Sequence, residues 1–248
     1  MLDPLHEDPL NADFSGAIGL GARTALMAEL VELEATRARI ALKRGQAILD
    51  DARERLLEAG ITCVTTEQRH ERLSDSIDQH ADKVDLVVLG KRGNHADFAR
   101  RHLGSNLERV IRSCPHPVLV ASSAAWPMRR FVLAFDGGKS AKKAVAFAVE
   151  SPLLKGMACH LIYAGKQDSK HLRALGVAQA DLTAAGYQVE MDVLDGEPET
   201  VITDAIDKHK ADLLVMGAYG HSHLREMIVG STTSAMIRQT KRPVLLFR

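Results

Sequence analysis

The stretch DLLVMGAYGHSHLREMIVGSTTSAMIRQTKRPVLLF, residues 212–247, decides the fold. It begins with an apolar run that is typical of a buried strand, and it continues through a loop that contains glycines. A segment with a helical pattern opens at Ser231, and a second apolar run occupies residues 243–247. The order strand, loop, helix, strand predicts part of a parallel α/β sheet.

The same order occurs earlier in the chain, where residues 85–120 read DLVVLGKRGNHADFARRHLGSNLERVIRSCPHPVLV. The shared positions of this first copy are Asp85, Leu86, Val88, Gly90, Gly93, Gly104, Ser105, Ile111, Arg112, Pro117, Val118 and Leu119. Identities in this order indicate a repeat, and a repeat has to be recognised before the fold is assigned. The sequence therefore predicts two tandem α/β domains, residues 1–125 and residues 126–248.

The second copy contains alternating strand and helix patterns. The predicted strands are residues 131–135, 160–164, 188–194, 212–216 and 243–247, and the predicted helices are residues 140–150, 170–185, 198–210 and 231–240. Strands that alternate with helices favour right-handed crossovers and a parallel, doubly wound sheet.

The first copy is shorter at its front. A long helix near residues 23–58 precedes predicted strands at residues 61–65, 85–89 and 117–121. Nothing corresponds to the opening strand, helix and second strand, because residues 4–10 contain two prolines that disfavour a central strand. We expect an incomplete first domain, either because these elements are lost or because the true start lies upstream.

The loop of the second copy has the composition of an anion site. Gly217 and Gly220 are followed, nine residues later, by Gly230, Ser231 and Thr232 at the predicted start of a helix. Glycines allow backbone amides to approach an anion, and a helix N-terminus offers N–H groups at the positive end of the helix dipole. The two hydroxyls can donate to phosphate oxygens, although they are also common N-cap residues. The pattern favours a phosphate site at the carboxyl end of a strand.

These residues resemble the universal stress protein family, whose ATP-binding members share the pattern Gly-x2-Gly-x9-Gly-Ser/Thr. The resemblance covers residues 131–248 and about 60 residues of the first copy. It implies strand order 3-2-1-4-5 in each half and binding of ATP, or another adenine nucleotide, with Mg²⁺ near Asp136. By the same resemblance, Ala134, Phe135 and Ala164 flank the adenine. It also implies that Asp136 lies beside the ribose and the metal, and that ribose and phosphates are held by Gly217, Gly220, Gly230, Ser231 and Thr232. Met216, at the Met216–Gly217 junction, is a further nucleotide-binding position by the same resemblance.

The corresponding loop of the first copy contains Gly90, Gly93, Gly104 and Ser105. It has ten residues between the second and third glycines, and Asn106 replaces the threonine. Five basic residues lie in or beside it: Lys91, Arg92, Arg100, Arg101 and His102. We expect a possible anion site here, but no adenine nucleotide.

Simpler interpretations of several residues stay open. Asp136 fits a role in capping the following helix. His221 and His223 are most simply solvated, so no metal site made by protein side chains alone is predicted. The apolar residues Ile40, Ala47, Leu56 and Leu57 of the long helix are most simply core.

Composition excludes several classes of protein. The 32 basic residues balance the 32 acidic ones, which does not favour nucleic acid or an anionic membrane as partner. Three widely spaced cysteines form no disulfide framework or metal motif, and no signal peptide or membrane span is evident, so we expect a cytoplasmic protein. No nucleophile elbow or Walker A motif is present.

The resemblance implies an ATP-binding, nucleotide-responsive stress or regulatory module with at most weak ATP hydrolysis and an unidentified client protein. The alternatives are a slow ATPase or phosphotransferase, and a scaffold that binds no nucleotide.

The strand order that the resemblance implies places residues 117–121 and 243–247 at sheet edges. Both runs are apolar and an apolar edge needs cover, so we expect them to pair antiparallel within the chain. The incomplete front of the first half predicts, in addition, self-association into a homodimer.

Overall fold

A computed structural model describes residues 20–91, 105–122, 127–219 and 229–248. The chain divides into two compact units, Met1–His70 and Glu71–Arg248. These units differ from the two predicted domains, whose boundary lies between residues 125 and 126. That domain boundary stays a prediction.

The first unit contains one long helix, α1 (Leu20–Glu58), as the sequence predicts. It ends in a Schellman motif, in which the Ile61 N–H donates to the Leu56 carbonyl and the Gly60 N–H to the Leu57 carbonyl, both at 2.9 Å. Gly60 has φ +87°, a left-handed conformation that glycine adopts without a steric penalty.

Two predictions for the first unit are wrong. Residues 61–70 contain no regular secondary structure, so the predicted strand at residues 61–65 does not form. In the predicted strand order its neighbour is the second strand of the first copy, and the described residues include no such strand with which a ladder could form. The apolar residues assigned to a core are also exposed, by 61% for Ile40, 40% for Leu56 and 42% for Leu57.

The second unit is built on a single seven-stranded sheet. In chain order its helices and strands are α2 (Leu73–Gln79), β1 (Val87–Gly90), α3 (Ser105–Ser113), β2 (Val118–Ala121), β3 (Arg130–Ala134), α4 (Lys139–Glu150), β4 (Ala158–Ala164), α5 (Ser169–Ala184), β5 (Val189–Leu194), α6 (Pro198–Lys208), β6 (Leu213–Gly217), α7 (Ser231–Gln239) and β7 (Val244–Phe247). Short 3₁₀ turns occupy Ala81–Lys83 and Pro152–Leu154.

The strand order is β1-β2-β7-β6-β3-β4-β5. The second copy therefore has the predicted order 3-2-1-4-5, and all of its pairs are parallel. The predicted pairing between the copies is also confirmed, because β2 and β7 are antiparallel with Val118 opposite Leu246 and Val120 opposite Val244. The sheets of the two copies thus join into one.

The two faces of the sheet carry separate cores. Phe131, Leu133 and Leu161 point toward α4 and α5, while Val132 and Ile162 point to the face that also contains buried residues of α3, α6 and α7. Side chains of successive strand residues point to opposite faces, so these apolar strands bury both of their faces. The crossovers change face between β3 and β6, which makes this the switch point of the sheet.

Candidate functional site

The carboxyl ends of β3, β4 and β6 bring several predicted site residues to one edge of the sheet. Ala134 lies opposite Met216 in the parallel β3–β6 pair. Ala164 ends β4, the neighbour of β3 on its other side, and Gly217 ends β6. Ligands of open α/β sheets bind at this edge, where the crossovers diverge from the switch point.

The N-terminus of α7 faces the loop that leaves β6. Gly230 is the N-cap residue and contributes no side-chain hydrogen bond, and its N–H donates to the Ala218 carbonyl at 3.2 Å. Ser231 is exposed and Thr232 is half-buried. The first turn of α7 therefore begins without capping by the N-cap side chain, which leaves its amide groups suited to an anion.

Thr233, which the sequence analysis did not single out, fixes the base of this loop. Its side chain is 3% exposed, and Oγ1 lies 3.2 Å from the Gly217 carbonyl and 3.3 Å from the Ala218 carbonyl, to which it donates. The hydroxyl thus ties the carboxyl end of β6 to the first turn of α7. Its position one residue after the Gly-Ser-Thr string is the only sequence signal for this role.

The two described glycines of the loop have different neighbours. A Cβ on Gly217 would lie 2.9 Å from the Ser140 Cβ and 3.3 Å from the Ala141 backbone nitrogen, so the packing of α4 on β6 requires glycine there. A Cβ on Gly230 would make ordinary contacts, 3.4 Å to Thr233 Oγ1 and 3.5 Å to the Ala218 carbonyl. The described residues therefore accommodate a Cβ at Gly230.

Asp136 follows β3 and shapes the turn before α4. Its Oδ1 accepts a 2.8 Å hydrogen bond from the Gly138 N–H, and Gly138 is the N-cap residue of α4. A Cβ on Gly138 would lie 3.0 Å from that same oxygen. Asp136 therefore stabilises the turn before α4, in line with the simpler interpretation of this residue. The Asp136 carboxylate also lies next to the carboxyl end of β3.

Phe135, predicted beside the adenine, has a buried ring. Its side chain is 4% exposed and belongs to the core cluster that also contains Ala141 and Val145 of α4. The neighbouring Ala134 is only half-buried. Because its ring is buried in the core, Phe135 can contact a ligand at this edge of the sheet more readily through its backbone than through its ring.

An aromatic pair that the sequence analysis missed lies near the Asp136 turn. The rings of Tyr163 and His171 stack with their centroids 4.8 Å apart. Burial, with the negative charges of Asp168 and Asp136, raises the pKa of Tyr163. A Cβ on Gly137 would lie 3.7 Å from His171 Cδ2, so the pair adjoins the turn that carries Asp136. No local motif announces this pair, because its members come from β4 and α5.

In the first copy, Gly90 ends β1 opposite Ala121 of β2. The Lys91 ammonium, predicted to make this loop basic, donates a hydrogen bond to the Thr240 carbonyl at the end of α7. Lys91 thus has a structural partner. Ser105 begins α3, whereas the remaining predicted positions of both loops lie outside the described residues: Arg92, Gly93, Arg100, Arg101, His102, Gly104, Gly220, His221 and His223.

A groove of about 840 Å³ lies between α4 and α5, away from the glycine loop. Phe135 borders it, together with Val145 and Val149 of α4 and Val177 of α5. Its lining includes none of the glycine, serine or threonine positions of the candidate site. The groove is therefore a separate feature of the helical face.

The model of the universal stress protein family matches residues 16–122 and 162–248, and the chain belongs to this family. A universal stress protein of Synechocystis sp. is 38% identical over 240 residues, which cover 96% of this chain and 84% of that protein. One from Mycolicibacterium smegmatis is 23% identical, with coverages of 90% and 80%.

Among solved structures, a universal stress protein from Archaeoglobus fulgidus has a similar fold, with a TM-score of 0.66 at 23% sequence identity. The similarity covers 83% of this chain and 76% of that one. Within the described ranges, no helix has both the length and the apolar character that crossing a membrane requires.

Proposed function

We propose that this universal stress protein binds ATP or another adenine nucleotide, with Mg²⁺, at the second copy and acts as a cytoplasmic, nucleotide-responsive stress or regulatory module. The observation that supports this most is the N-terminus of α7. It begins at a glycine where the described residues would accommodate a Cβ, and it adjoins the carboxyl end of β6 beside the switch point. This arrangement matches the sites where phosphate groups bind in α/β proteins.

In this proposal the phosphates lie against Gly217, Gly220, Gly230, Ser231 and Thr232. The ribose and the metal lie near Asp136, and the adenine lies at Ala134, the Phe135 backbone, Ala164 and Met216. The Mg²⁺ arrives with the nucleotide, because Mg²⁺ usually binds through one or two carboxylates together with substrate phosphates. Hydrolysis is at most weak.

The first copy does not hold a nucleotide in this proposal, so each chain binds one. Among the described residues, β1 and β2 correspond only to the last two strands of a complete copy, and the strand that would carry an aspartate equivalent to Asp136 is not among them. Gly90, Gly93, Gly104 and Ser105 stay a candidate site for a small anion.

Mass spectrometry of small molecules released from the purified, denatured protein tests the proposal without assuming which nucleotide binds. We expect an adenine nucleotide, and addition of millimolar Mg-ATP to stripped protein should raise the melting temperature. At 100 times the dissociation constant, the gain in unfolding free energy is about 2.7 kcal/mol. Absence of any released nucleotide together with unchanged melting would favour the nucleotide-independent scaffold instead.

A further inference from the structure

Two histidines and two carboxylates meet on the sheet face that carries α6. His160 of β4 lies opposite Glu190 of β5 in the parallel register, and Asp192 lies two residues further along β5 on the same face. His209 directly follows α6. The rings of His160 and His209 stack with centroids 3.5 Å apart and an interplanar angle of 20°.

Three of the four ring nitrogens of this cluster make no hydrogen bond. His160 is 6% exposed, yet neither its Nδ1 nor its Nε2 makes a hydrogen bond, and the Nε2 of His209 makes none either. Buried polar atoms in native proteins are nearly always satisfied, and each exception calls for an explanation such as an ion. A ligand that accepts the lone pairs of both rings would supply the missing interactions.

The carboxylates lie on opposite sides of the stacked rings. Asp192 Oδ2 is 3.3 Å from His160 Nε2 and 3.8 Å from His209 Nε2. Glu190 Oε2 is 3.6 Å from His160 Nδ1 and 3.4 Å from His209 Nδ1. Asp192 therefore lies near the Nε2 atoms of both rings, and Glu190 lies near the Nδ1 atoms of both rings.

This spacing suits a small divalent cation on the Nε2 side. One ligand atom from each of His160, Asp192 and His209 lies within 4.8 Å of the others. Ligands of a tetrahedral zinc ion, at about 2.1 Å from the metal, are separated by about 3.4 Å, which is close to the spacing here. Metal binding would tilt the two stacked rings away from parallel, so that both Nε2 lone pairs converge on one ion. Two imidazoles and one carboxylate are a donor set that zinc uses, with water as the fourth ligand.

Glu190 fits the role of an outer partner. Metal-binding histidines usually donate the N–H of the other ring nitrogen to a carboxylate, which fixes the ring orientation. Glu190 approaches both Nδ1 atoms and is itself 77% exposed.

The surroundings allow access and already attract a cation. A cavity of about 430 Å³ borders His160, Glu190 and His209 and also contacts Gln188 and Lys210. The Lys208 ammonium lies 3.4 Å from Asp192 Oδ2, and its side chain is 66% exposed, so a metal can displace it into solvent. The cluster contains none of the positions of the proposed nucleotide site.

We propose that His160 Nε2, His209 Nε2 and Asp192 Oδ2 form a binding site for a divalent transition-metal ion of the Zn²⁺ class, with Glu190 orienting the two rings. The site is independent of the nucleotide proposal. Sequence alone gave no sign of it, because its residues come from β4, β5 and the end of α6 and form no short motif.

The test uses the full chain, stripped with a chelator and titrated with Zn²⁺ by calorimetry and with Co²⁺ by visible absorption. We expect one ion per chain and the absorption bands of a four-coordinate Co²⁺ ion. Asp192→Asn and His209→Gln should each weaken Zn²⁺ binding at least 10-fold, while Glu190→Gln should have a smaller effect. These variants avoid the buried His160, whose replacement risks the fold.

Two controls separate this site from other histidines. His116→Gln, at a half-buried histidine outside the cluster, should leave Zn²⁺ affinity unchanged. The double variant His221→Gln/His223→Gln, in the glycine loop, should also leave it unchanged. The proposal is overturned if wild-type protein binds no Zn²⁺ at micromolar concentrations, if Asp192→Asn and His209→Gln bind it normally, or if the loop variant is the one that loses it.

Discussion

The Arg248 guanidinium donates a 3.0 Å hydrogen bond to the Ser113 carbonyl, which links the end of the second copy to the end of helix α3 in the first. The converse contact joins Lys91 of the first copy to the Thr240 carbonyl after α7. Helices α3 and α7 are corresponding elements of the repeat. Each therefore has a cation from the other copy at its C-terminus, where the helix dipole favours positive charge.

Removal of these cations should weaken the contact between the copies. Arg248→Met and Lys91→Met should each lower the unfolding free energy by about 0.5 to 1 kcal/mol, which is the usual contribution of a charge at a helix end. Urea denaturation followed by circular dichroism measures this change. Lys241→Met, at an exposed lysine nearby, is the control, and an equal loss in that variant would contradict a specific role for the two contacts.

The antiparallel β2–β7 pair should contribute strongly to stability. Leu246 is 1% exposed and lies opposite Val118, so Leu246→Ala should cost about 2 to 5 kcal/mol through lost burial and a residual cavity. Val177→Ala, at a 62% exposed residue of α5, should change the unfolding free energy by less than about 0.5 kcal/mol. Similar losses in the two variants would argue against a buried junction between the copies.

The N-cap of α5 should make stability depend on pH in the acid range. Asp168 accepts hydrogen bonds from the His171 and Lys170 N–H groups at 2.8 and 2.9 Å, and its other oxygen contacts Nδ1 of the His171 ring. The bond from the His171 N–H, followed by the contact with the His171 ring, lowers the pKa of Asp168. A lowered carboxyl pKa stabilises the fold above the unfolded value of about 3.9, and this stabilisation is lost as the pH falls through the folded value.

Comparison of Asp168→Asn with wild type isolates the charge, because asparagine also caps helices. We expect the variant to melt at a lower temperature than wild type at pH 7, and the difference to shrink steadily below pH 4. Asp168→Ala, which removes the cap itself, should melt lowest at pH 7. A difference between wild type and Asp168→Asn that is constant from pH 7 to pH 2 would contradict this prediction.

The edge of β1 should support self-association. Among the described residues β1 pairs with β2 alone, and an uncovered edge strand can pair with a strand of another chain. We expect light scattering to give the mass of a homodimer, and Val88→Lys to shift it toward monomer by placing a charge on the edge strand. Val177→Lys, at a 62% exposed residue of α5, is the control; a monomeric wild type would refute the prediction.

The alternating patterns of the repeated sequence were enough to predict the order of the elements. The β2–β7 pairing followed from the strand order that the family resemblance implies and from the need to cover apolar edges. Apolar runs with strand spacing predicted β3 to β7 to within a few residues, because strands buried on both faces have little freedom in composition. The error at residues 61–65 has a different origin. A strand exists only where a neighbour completes its ladder, and that neighbour is a long-range property that a local pattern does not contain.

In the candidate site, too, local patterns predicted some residues, while residues that depend on long-range contacts were missed. Spacing identified Gly217 and Gly230, but it could not distinguish the glycine required by the packing of α4 from the one that the fold leaves free. Thr233 was missed because its partners are backbone carbonyls, which leave no mark on sequence. His160 and His209 were missed because only the paired strands and the end of α6 bring them together.

The most direct test of the nucleotide site is a calorimetric titration of nucleotide-free protein with Mg-ATP, which measures affinity and stoichiometry together. We predict one site per chain. Gly230→Val should abolish binding while the protein stays folded, because a Cβ there makes only ordinary contacts with the described residues and the added methyl groups would occupy the space proposed for phosphate. Gly176→Ala, in open space on α5, should bind like wild type. No binding by wild-type protein, or undiminished binding by folded Gly230→Val, would contradict the proposed site.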